Sequence, residues 1–195
     1  MPRVTRIPLA DQPVMAWANG GGSTRQVAID PPTGSLAKGF RWRVSIAQVA
    51  SDGPFSVLPG IDRSLWLLRG AGVQLTVDGA TIDLTRPLQR FDFAGETQVT
   101  SRLVAGPCED LNVMVARNLV RAQATLADIP AGSVLDLPAT EQRLVVVLSG
   151  RLATPDGALV AIERDALRCE EHCELELQTG EAPCTALVCS FCRTP

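Results

Sequence analysis

Two polar residues on one predicted strand are suited to binding an anion. The segment 40–46 reads FRWRVSI, and its apolar and polar residues alternate strictly, which predicts a β-strand. Arg43 and Ser45 would then project from one face of the strand, about 7 Å apart. A guanidinium offers two parallel donors and the hydroxyl adds a third, a combination that suits a carboxylate. The alternation also fits a face that is simply solvated, so by itself it leaves both interpretations open.

A run of three glycines marks a second candidate. Gly20, Gly21 and Gly22 lie between Asn19 and Arg25, and glycines permit an irregular backbone whose N–H groups can approach a ligand closely. The run lacks the βαβ context and the spacing of a dinucleotide fingerprint. Asn19 could bind a ligand or cap the turn, and Arg25 could bind an anion or lie exposed beside a flexible turn.

A third pair of candidate residues follows a Pro-Gly turn. Asp62 and Arg63 could form the rim of a pocket or a surface ion pair. The aromatic residues Trp17, Trp42 and Phe55 are expected in the core, although one of them could wall the pocket.

The sequence shows no pairing of a nucleophile with a base. The only histidine, His172, lies in a polar stretch far from the other candidates. A carboxylate such as Asp62 or Glu96 could serve as the base of a metal-independent reaction. Binding is therefore favoured over catalysis, and an enzyme remains the alternative.

Composition excludes several classes of partner and location. The 195 residues are 46% hydrophobic and 20% charged, with a formal net charge of −3. Without a dense run of Lys or Arg, neither nucleic acid nor an anionic membrane is an expected partner. No apolar run is long enough to span a membrane, and the N-terminus lacks the apolar core of a signal peptide. A soluble cytoplasmic protein is expected.

The six cysteines are too few for a disulfide scaffold and are expected to be reduced in a cytoplasmic protein. Cys169, His172 and Cys173, together with Cys184 and the later pair, could supply zinc ligands. Their spacing matches no known zinc module, so structural or incidental cysteines are favoured and no metal is expected.

Short strands and turns dominate the pattern, which predicts an all-β chain. Strands are predicted over 65–68, 73–77, 82–84, 99–104, 111–115, 144–148 and 186–190. The dipeptides Asp78-Gly79 and Asp156-Gly157 are hairpin signals.

The chain also repeats itself. Residues 72–80 share Gly, Thr, Asp, Gly and Ala with residues 150–158, and residues 58–65 resemble residues 137–144 in the same order. Two copies of one β unit are therefore expected.

The order of strands and glycines resembles a cupin barrel. The metal-binding motif of that family, G-x5-H-x-H-x3-E-x6-G, fits between Gly53 and Gly72, but its ligand positions hold Pro59, Ile61 and Leu65. None of these three side chains binds a metal ion. The resemblance therefore implies a bicupin, with two cupin-like barrels or jelly rolls, that lacks the usual metal.

Several segments in order resemble the HutD/Ves family. The resemblance is strong over residues 5–117 and rests on five segments, WANGGGSTR at 17–25, WRVSIA at 42–47, GPFS at 53–56, PGIDR at 59–63 and DLNVM at 110–114. It implies a compact bicupin associated with histidine utilisation, which acts as a regulatory or ligand-binding component and not as an established enzyme. The ligand that it suggests is a small carboxylate metabolite, urocanate or formylglutamate.

The asymmetry between the two copies indicates where the ligand would bind. Residues 1–117 are expected to form the unit with the pocket, and residues 118–195 a degenerate, tightly packed second unit that shares some strands with it. The expected ligand-binding residues are Asn19, Arg25, Arg43, Ser45, Asp62 and Arg63. No cofactor is expected, a homodimer is left open, and a protein–protein module acting through exposed sheet edges is a further alternative.

Overall fold

The computed structural model describes residues 3–170, 172 and 174–194, and almost every regular element in it is a β-strand. These residues form β1 (Arg3–Ile7), a 3-10 helix (Leu9–Asp11), β2 (Val14–Ala16), β3 (Gly22–Asp30), β4 (Trp42–Val49), β5 (Gly53–Pro54), β6 (Ile61–Arg69), β7 (Val73–Val77), β8 (Ala80–Leu84), β9 (Arg90–Ala94), β10 (Val99–Leu103), β11 (Cys108–Ala116), β12 (Val120–Ile129), β13 (Val134–Leu137), β14 (Gln142–Ser149), β15 (Arg151–Ala153), β16 (Val160–Ile162), β17 (Ala166–Glu170), β18 (Leu175–Gln178) and β19 (Cys184–Arg193). The all-β prediction is confirmed.

Residues 13–119 form one compact unit, called the first unit below. It contains two antiparallel sheets, ordered β2-β3-β4-β11-β6-β9 and β5-β10-β7-β8. A cluster of buried apolar side chains on strands of both sheets, including Leu65, Leu67 and Leu75, forms its core. Burial of these leucines supplies the main driving force for folding of the unit.

Residues 120–194 form the second unit together with the segment that ends at Gln12. Its sheets are ordered β1-β17-β14-β19-β12 and β13-β18-β15-β16. The expected boundary after residue 117 lies close to the observed one after residue 119. The N-terminal segment, however, differs from the expectation, because β1 pairs along its whole length with β17 of the second unit.

The predicted strands are found in the structure. Segment 40–46 overlaps β4, and the segments at 65–68, 144–148 and 186–190 lie within or overlap β6, β14 and β19. Asp78 and Gly79 have φ angles of 49° and 82° and connect β7 directly to β8. Positive φ at both central residues is the geometry that a two-residue hairpin requires, which is why Gly follows Asp there.

The internal repeat appears as two equivalent close approaches of the backbone. Gly70 follows β6 with a φ of 97°, and an added Cβ would lie 2.7 Å from the carbonyl oxygen of Pro107. Gly150 follows β14 with a φ of 79°, and its added Cβ would lie 2.4 Å from the carbonyl oxygen of Pro183. The equivalent of Gly150 is therefore Gly70, and the sequence alignment that paired it with Gly72 is two residues out of register.

One cysteine departs from the expected reduced state. Cys169 is disulfide-bonded, whereas Cys108, Cys184, Cys189 and Cys192 are free. The expectation that all six are reduced is thus wrong for Cys169.

The described part of the chain contains no helix with the length and apolar character of a membrane span.

Candidate functional site

A cavity of about 650 Å³ lies within the first unit. Polar and apolar side chains share its wall. The larger ones belong to Met15, Trp17, Asn19, Thr24, Gln26, Ser35, Leu36, Arg43, Ser45, Phe55, Ser56, Leu58, Arg63, Asp110, Asn112 and Met114. Asn19 and Ser56 are exposed, whereas Arg43, Ser45 and Asp110 are buried, so the cavity has an open end and a closed polar end.

The register of three central strands brings the polar residues to one face. Met114 on β11 lies opposite Arg43 on β4 and opposite Arg63 on β6. Two residues along the same strand, Asn112 lies opposite Ser45. Directly paired residues of neighbouring strands share a face, so the pleat directs all five side chains to the cavity side.

Both faces of β4 are buried. Trp42 and Val44 are fully buried on the face opposite the cavity, while Arg43 is 4% exposed and Ser45 1% exposed on the cavity face. A solvated face for Arg43 and Ser45 is therefore excluded. Burying a guanidinium costs free energy unless a partner compensates for its lost hydration.

Arg63 is held by two aromatic rings and two acceptors. Its guanidinium carbon lies 5.3 Å from the ring centroid of Phe55 and 4.7 Å from that of Phe93. It donates to Asn112 Oδ1 at 3.0 Å and to the carbonyl oxygen of Ser56 at 3.4 Å, whereas the buried Nε has no partner. Burial is the main reason why its pKa is lowered to about 10. The charge of Arg43 also lowers this pKa, whereas the charge of Asp110 raises it. The guanidinium stays charged at neutral pH.

Arg43 has less compensation. Its Nε donates to Gln26 Oε1 at 3.1 Å, and among the described residues the guanidinium has no other hydrogen-bond partner. Burial lowers its pKa, and no carboxylate of the described residues opposes this shift. The hydroxyl of Ser45 also lacks a side-chain partner within the described part of the chain. Together they form a buried cationic donor group on the cavity wall with capacity left for an anion.

Asp110 is the acidic group of the cavity. Burial raises its pKa to about 7, Glu109 adding to that rise while Arg63 and the hydrogen bond from Asn112 oppose it. Asn112 donates through Nδ2 to Asp110 Oδ1 and accepts from Arg63, so its amide links the two charged groups.

The turn before β3 uses its own polar groups. Asn19 Oδ1 accepts from the backbone N–H of Gly21 at 3.0 Å, and the N–H of Gly20 donates to the carbonyl oxygen of Trp17. Asn19 thus lines the cavity and caps the turn at once, and these two glycine N–H groups are occupied. Trp17 forms part of the cavity wall, fixed by a 2.8 Å hydrogen bond from its indole Nε1 to Thr24.

Two of the six expected ligand-binding residues lie outside the cavity. Arg25 alternates with the cavity-lining residues Thr24 and Gln26 along β3, so the pleat turns it to the opposite face. Asp62 precedes the buried Arg63 on β6, and the same alternation leaves its side chain exposed. Asn19, Arg43, Ser45 and Arg63 are the four that the fold brings together.

The carboxylates considered as catalytic bases also face away from the cavity. Asp62 and Glu96 both pair with Arg117, at 2.7 Å and 2.8 Å. The hydrogen bond from Arg117 holds the pKa of Glu96 well below its ordinary value, at about 2. Of the acidic side chains in the described residues, Asp110 lines the cavity instead.

Sequence reasoning missed Asp110, Asn112 and Gln26. A signal for the first two exists, because the segment at 107–112 reads PCEDLN and that at 183–188 reads PCTALV. These segments open β11 and β19, and the proline of each lies against the equivalent glycine of its unit, Gly70 or Gly150. Asp and Asn in the first copy stand where Ala and Val stand in the second, and Ala186 and Val188 belong to the filled apolar core of the second unit.

The described residues contain no group of three or more His, Cys, Asp or Glu side chains that could hold a metal ion. Leu65, which occupies a ligand position of the cupin motif, is fully buried in the core of the first unit. Cys173, considered as a zinc ligand, lies outside the described residues.

Comparison with known proteins identifies the family. The family model described as HutD matches residues 9–186. The chain is 34% identical over 170 residues to an uncharacterised 21.2 kDa protein in the hutC 3′ region of Pseudomonas putida, covering 85% of this chain and 86% of that protein. It is 42% identical over 117 residues to protein Ves of Cronobacter sakazakii, covering 60% of this chain and 62% of Ves.

Solved structures confirm the architecture. The structure of HutD from Pseudomonas fluorescens SBW25, from a formate condition, matches with a TM-score of 0.82 at 27% identity, covering 99% of this chain and 100% of HutD. An oxalate decarboxylase from Lactobacillus farciminis matches in fold alone, with a TM-score of 0.68 at 10% identity over 96% of this chain and 88% of the enzyme. The expected HutD/Ves resemblance and the cupin-like, two-unit all-β fold are both confirmed.

Proposed function

Because the chain belongs to the HutD family, which is linked to histidine-utilisation genes, we propose that its first unit binds a small carboxylate metabolite of histidine catabolism. Urocanate and formylglutamate are the candidate ligands. Binding would modulate histidine utilisation, and the protein would act as a ligand-binding regulator rather than as an enzyme.

One observation carries the proposal: a buried arginine without an anionic partner lines a cavity. Arg43 is 4% exposed, and Gln26, its partner among the described residues, is neutral. Removing a charged group from water without pairing it costs on the order of several kcal/mol. A bound carboxylate would offset that cost by accepting hydrogen bonds from Arg43 and from Ser45.

The rest of the wall suits a ligand with an apolar body. Trp17, Phe55 and Met114 offer flat or flexible apolar surface beside the charged groups. A cavity of about 650 Å³ accommodates a molecule of metabolite size. The structure of a relative, HutD from P. fluorescens, comes from a formate condition, and formate is a small carboxylate.

A thermal-shift titration tests the proposal. The purified protein is titrated with histidine, urocanate, formylglutamate, glutamate and formate. A ligand at about 100 times its Kd adds about 2.7 kcal/mol to the free energy of unfolding, a rise of about 5–10 °C in the unfolding midpoint for a chain of this size. We expect such a shift for at least one carboxylate and none for Arg43→Ala.

Arg25→Ala is the matched control, because Arg25 lies on the neighbouring strand but outside the cavity. It should keep the ligand-induced shift. The proposal fails when no carboxylate stabilises the protein, or when Arg43→Ala responds as the original protein does.

A further inference from the structure

The cavity contains a carboxylate oxygen with unused hydrogen-bonding capacity. Asp110 is 1% exposed and lines the cavity. Its Oδ1 accepts from Asn112, whereas Oδ2 has no hydrogen-bond partner anywhere in the described chain. Unlike the enclosed and unpartnered Nε of Arg63, Oδ2 borders open space, and on a cavity wall such an oxygen marks a position for a ligand donor.

The backbone of Asp110 lies at a different level of β11 from the residue opposite Arg43 and Arg63. Asp110 is four residues from Met114 along β11, on the same face, which is about 13 Å between Cα atoms. Met114 marks the level of Arg43 and Arg63, and Asn112 lies between the two levels. The wall therefore offers donors at the level of Arg43 and an acceptor four residues away along β11, while the Arg63 side chain reaches Asn112 between them.

We propose that Asp110 is a second ligand contact, which selects carboxylates that also carry an N–H or O–H donor. This inference rests on the proposed function, because the ligand carboxylate is taken to bind Arg43 and Ser45. The ligand donor then bonds to Asp110 Oδ2. With Asp110 ionised, its charge and that of a monocarboxylate such as urocanate balance the two guanidinium groups of Arg43 and Arg63.

Charge and burial support an acceptor role for Asp110. Its pKa of about 7 leaves it mostly ionised at slightly alkaline pH. A hydrogen bond to an ionised carboxylate is stronger than one to a neutral acceptor. The alternative is a purely structural role, in which Asp110 only orients the Asn112 amide toward Arg63. A structural role would affect every carboxylate ligand equally.

Two pairs of ligands separate these roles by isothermal titration calorimetry at about pH 8, where a free imidazole is neutral. Urocanate is compared with 3-(furan-2-yl)acrylate, which has the same acrylate arm on a five-membered ring without N–H. Formylglutamate is compared with glutarate, which lacks the amide. We expect the donor-bearing member of at least one pair to bind about 10–100-fold more tightly.

Asp110→Asn should abolish that preference while changing the affinity for the donor-free ligand less than about threefold. Glu109→Gln, which removes the adjacent charge on the same strand, should keep the preference. An equal loss for both members of a pair overturns the inference, as does the absence of any preference in the original protein, a result that does not depend on the variant folding. Binding of neither pair overturns the proposed function as well.

Discussion

Replacing Arg43 with methionine should stabilise the protein while abolishing carboxylate binding. Arg43 is 4% exposed and is compensated by one neutral partner, Gln26, and burial alone lowers its pKa. The methionine introduced by Arg43→Met is unbranched like arginine, carries no charge and is flexible enough to fill the space that the arginine side chain leaves. The variant therefore removes the desolvation cost of the buried guanidinium.

The magnitude follows from two opposing effects. Replacing buried ionic groups with apolar ones of similar volume stabilises proteins by up to about 4 kcal/mol. Against this, the Gln26 amide loses its partner, at a cost of about 1 kcal/mol. We expect a net gain of about 1–2 kcal/mol in the free energy of unfolding, which is about 2–8 °C in the unfolding midpoint.

Urea denaturation followed by tryptophan fluorescence measures this gain directly. The chain has three tryptophans, at 17, 42 and 66, and all of them lie in the first unit. Arg102→Met is the control, because Arg102 is an exposed arginine on β10 of the same unit and its replacement should change stability by less than about 0.5 kcal/mol. Destabilisation by Arg43→Met beside a neutral control would show that Arg43 supports the fold and would refute a net desolvation cost at this position.

Three further outcomes are expected. Relative to Asp110→Asn, the original protein should lose stability as pH rises from 3.8 through about 7, because the raised pKa favours the protonated carboxyl in the folded state. Urea titrations over a pH series should show the difference in free energy of unfolding falling by up to about 1.4 kcal/mol per pH unit. Parallel pH profiles of the two proteins would contradict this prediction. Gly72→Ala should be more damaging than Gly79→Ala in the same titration, because its Cβ would lie 2.3 Å from the carbonyl oxygen of Leu84 whereas Gly79 faces open space; equal losses would refute the packing argument. Asp62→Asn should leave the affinity for carboxylates, measured by calorimetry, unchanged, because Asp62 lies outside the cavity. A tenfold loss of affinity would show that Asp62 contributes to binding.

The part of the site that lies on a regular strand could be predicted from the sequence. Strict alternation around Arg43 and Ser45 places both side chains on one face, and the structure shows that this face lines the cavity. What the alternation could not decide is whether that face meets solvent. That depends on the second sheet and the loops around the cavity, which join residues distant in the chain.

Arg25 and Asp62 were grouped with the cavity residues because proximity in sequence was taken for proximity in space. Arg25 follows the glycine run, and Asp62 adjoins Arg63, yet the two-residue period of a strand turns each away from its neighbour. Asp110 was missed for the opposite reason. In the segment DLN its polar residues alternate with leucine as on a solvated face, whereas in the structure β11 lies between β4 and β6 and both polar residues are buried.

A crystal structure of the protein with a bound carboxylate would test the central claim most directly. The ligand to use is the one that gives the largest thermal shift. We predict its carboxylate in the cavity of the first unit, within hydrogen-bond distance of the Arg43 guanidinium and the Ser45 hydroxyl. A ligand bound outside this cavity, or bound within it with its carboxylate directed away from Arg43, would contradict the account.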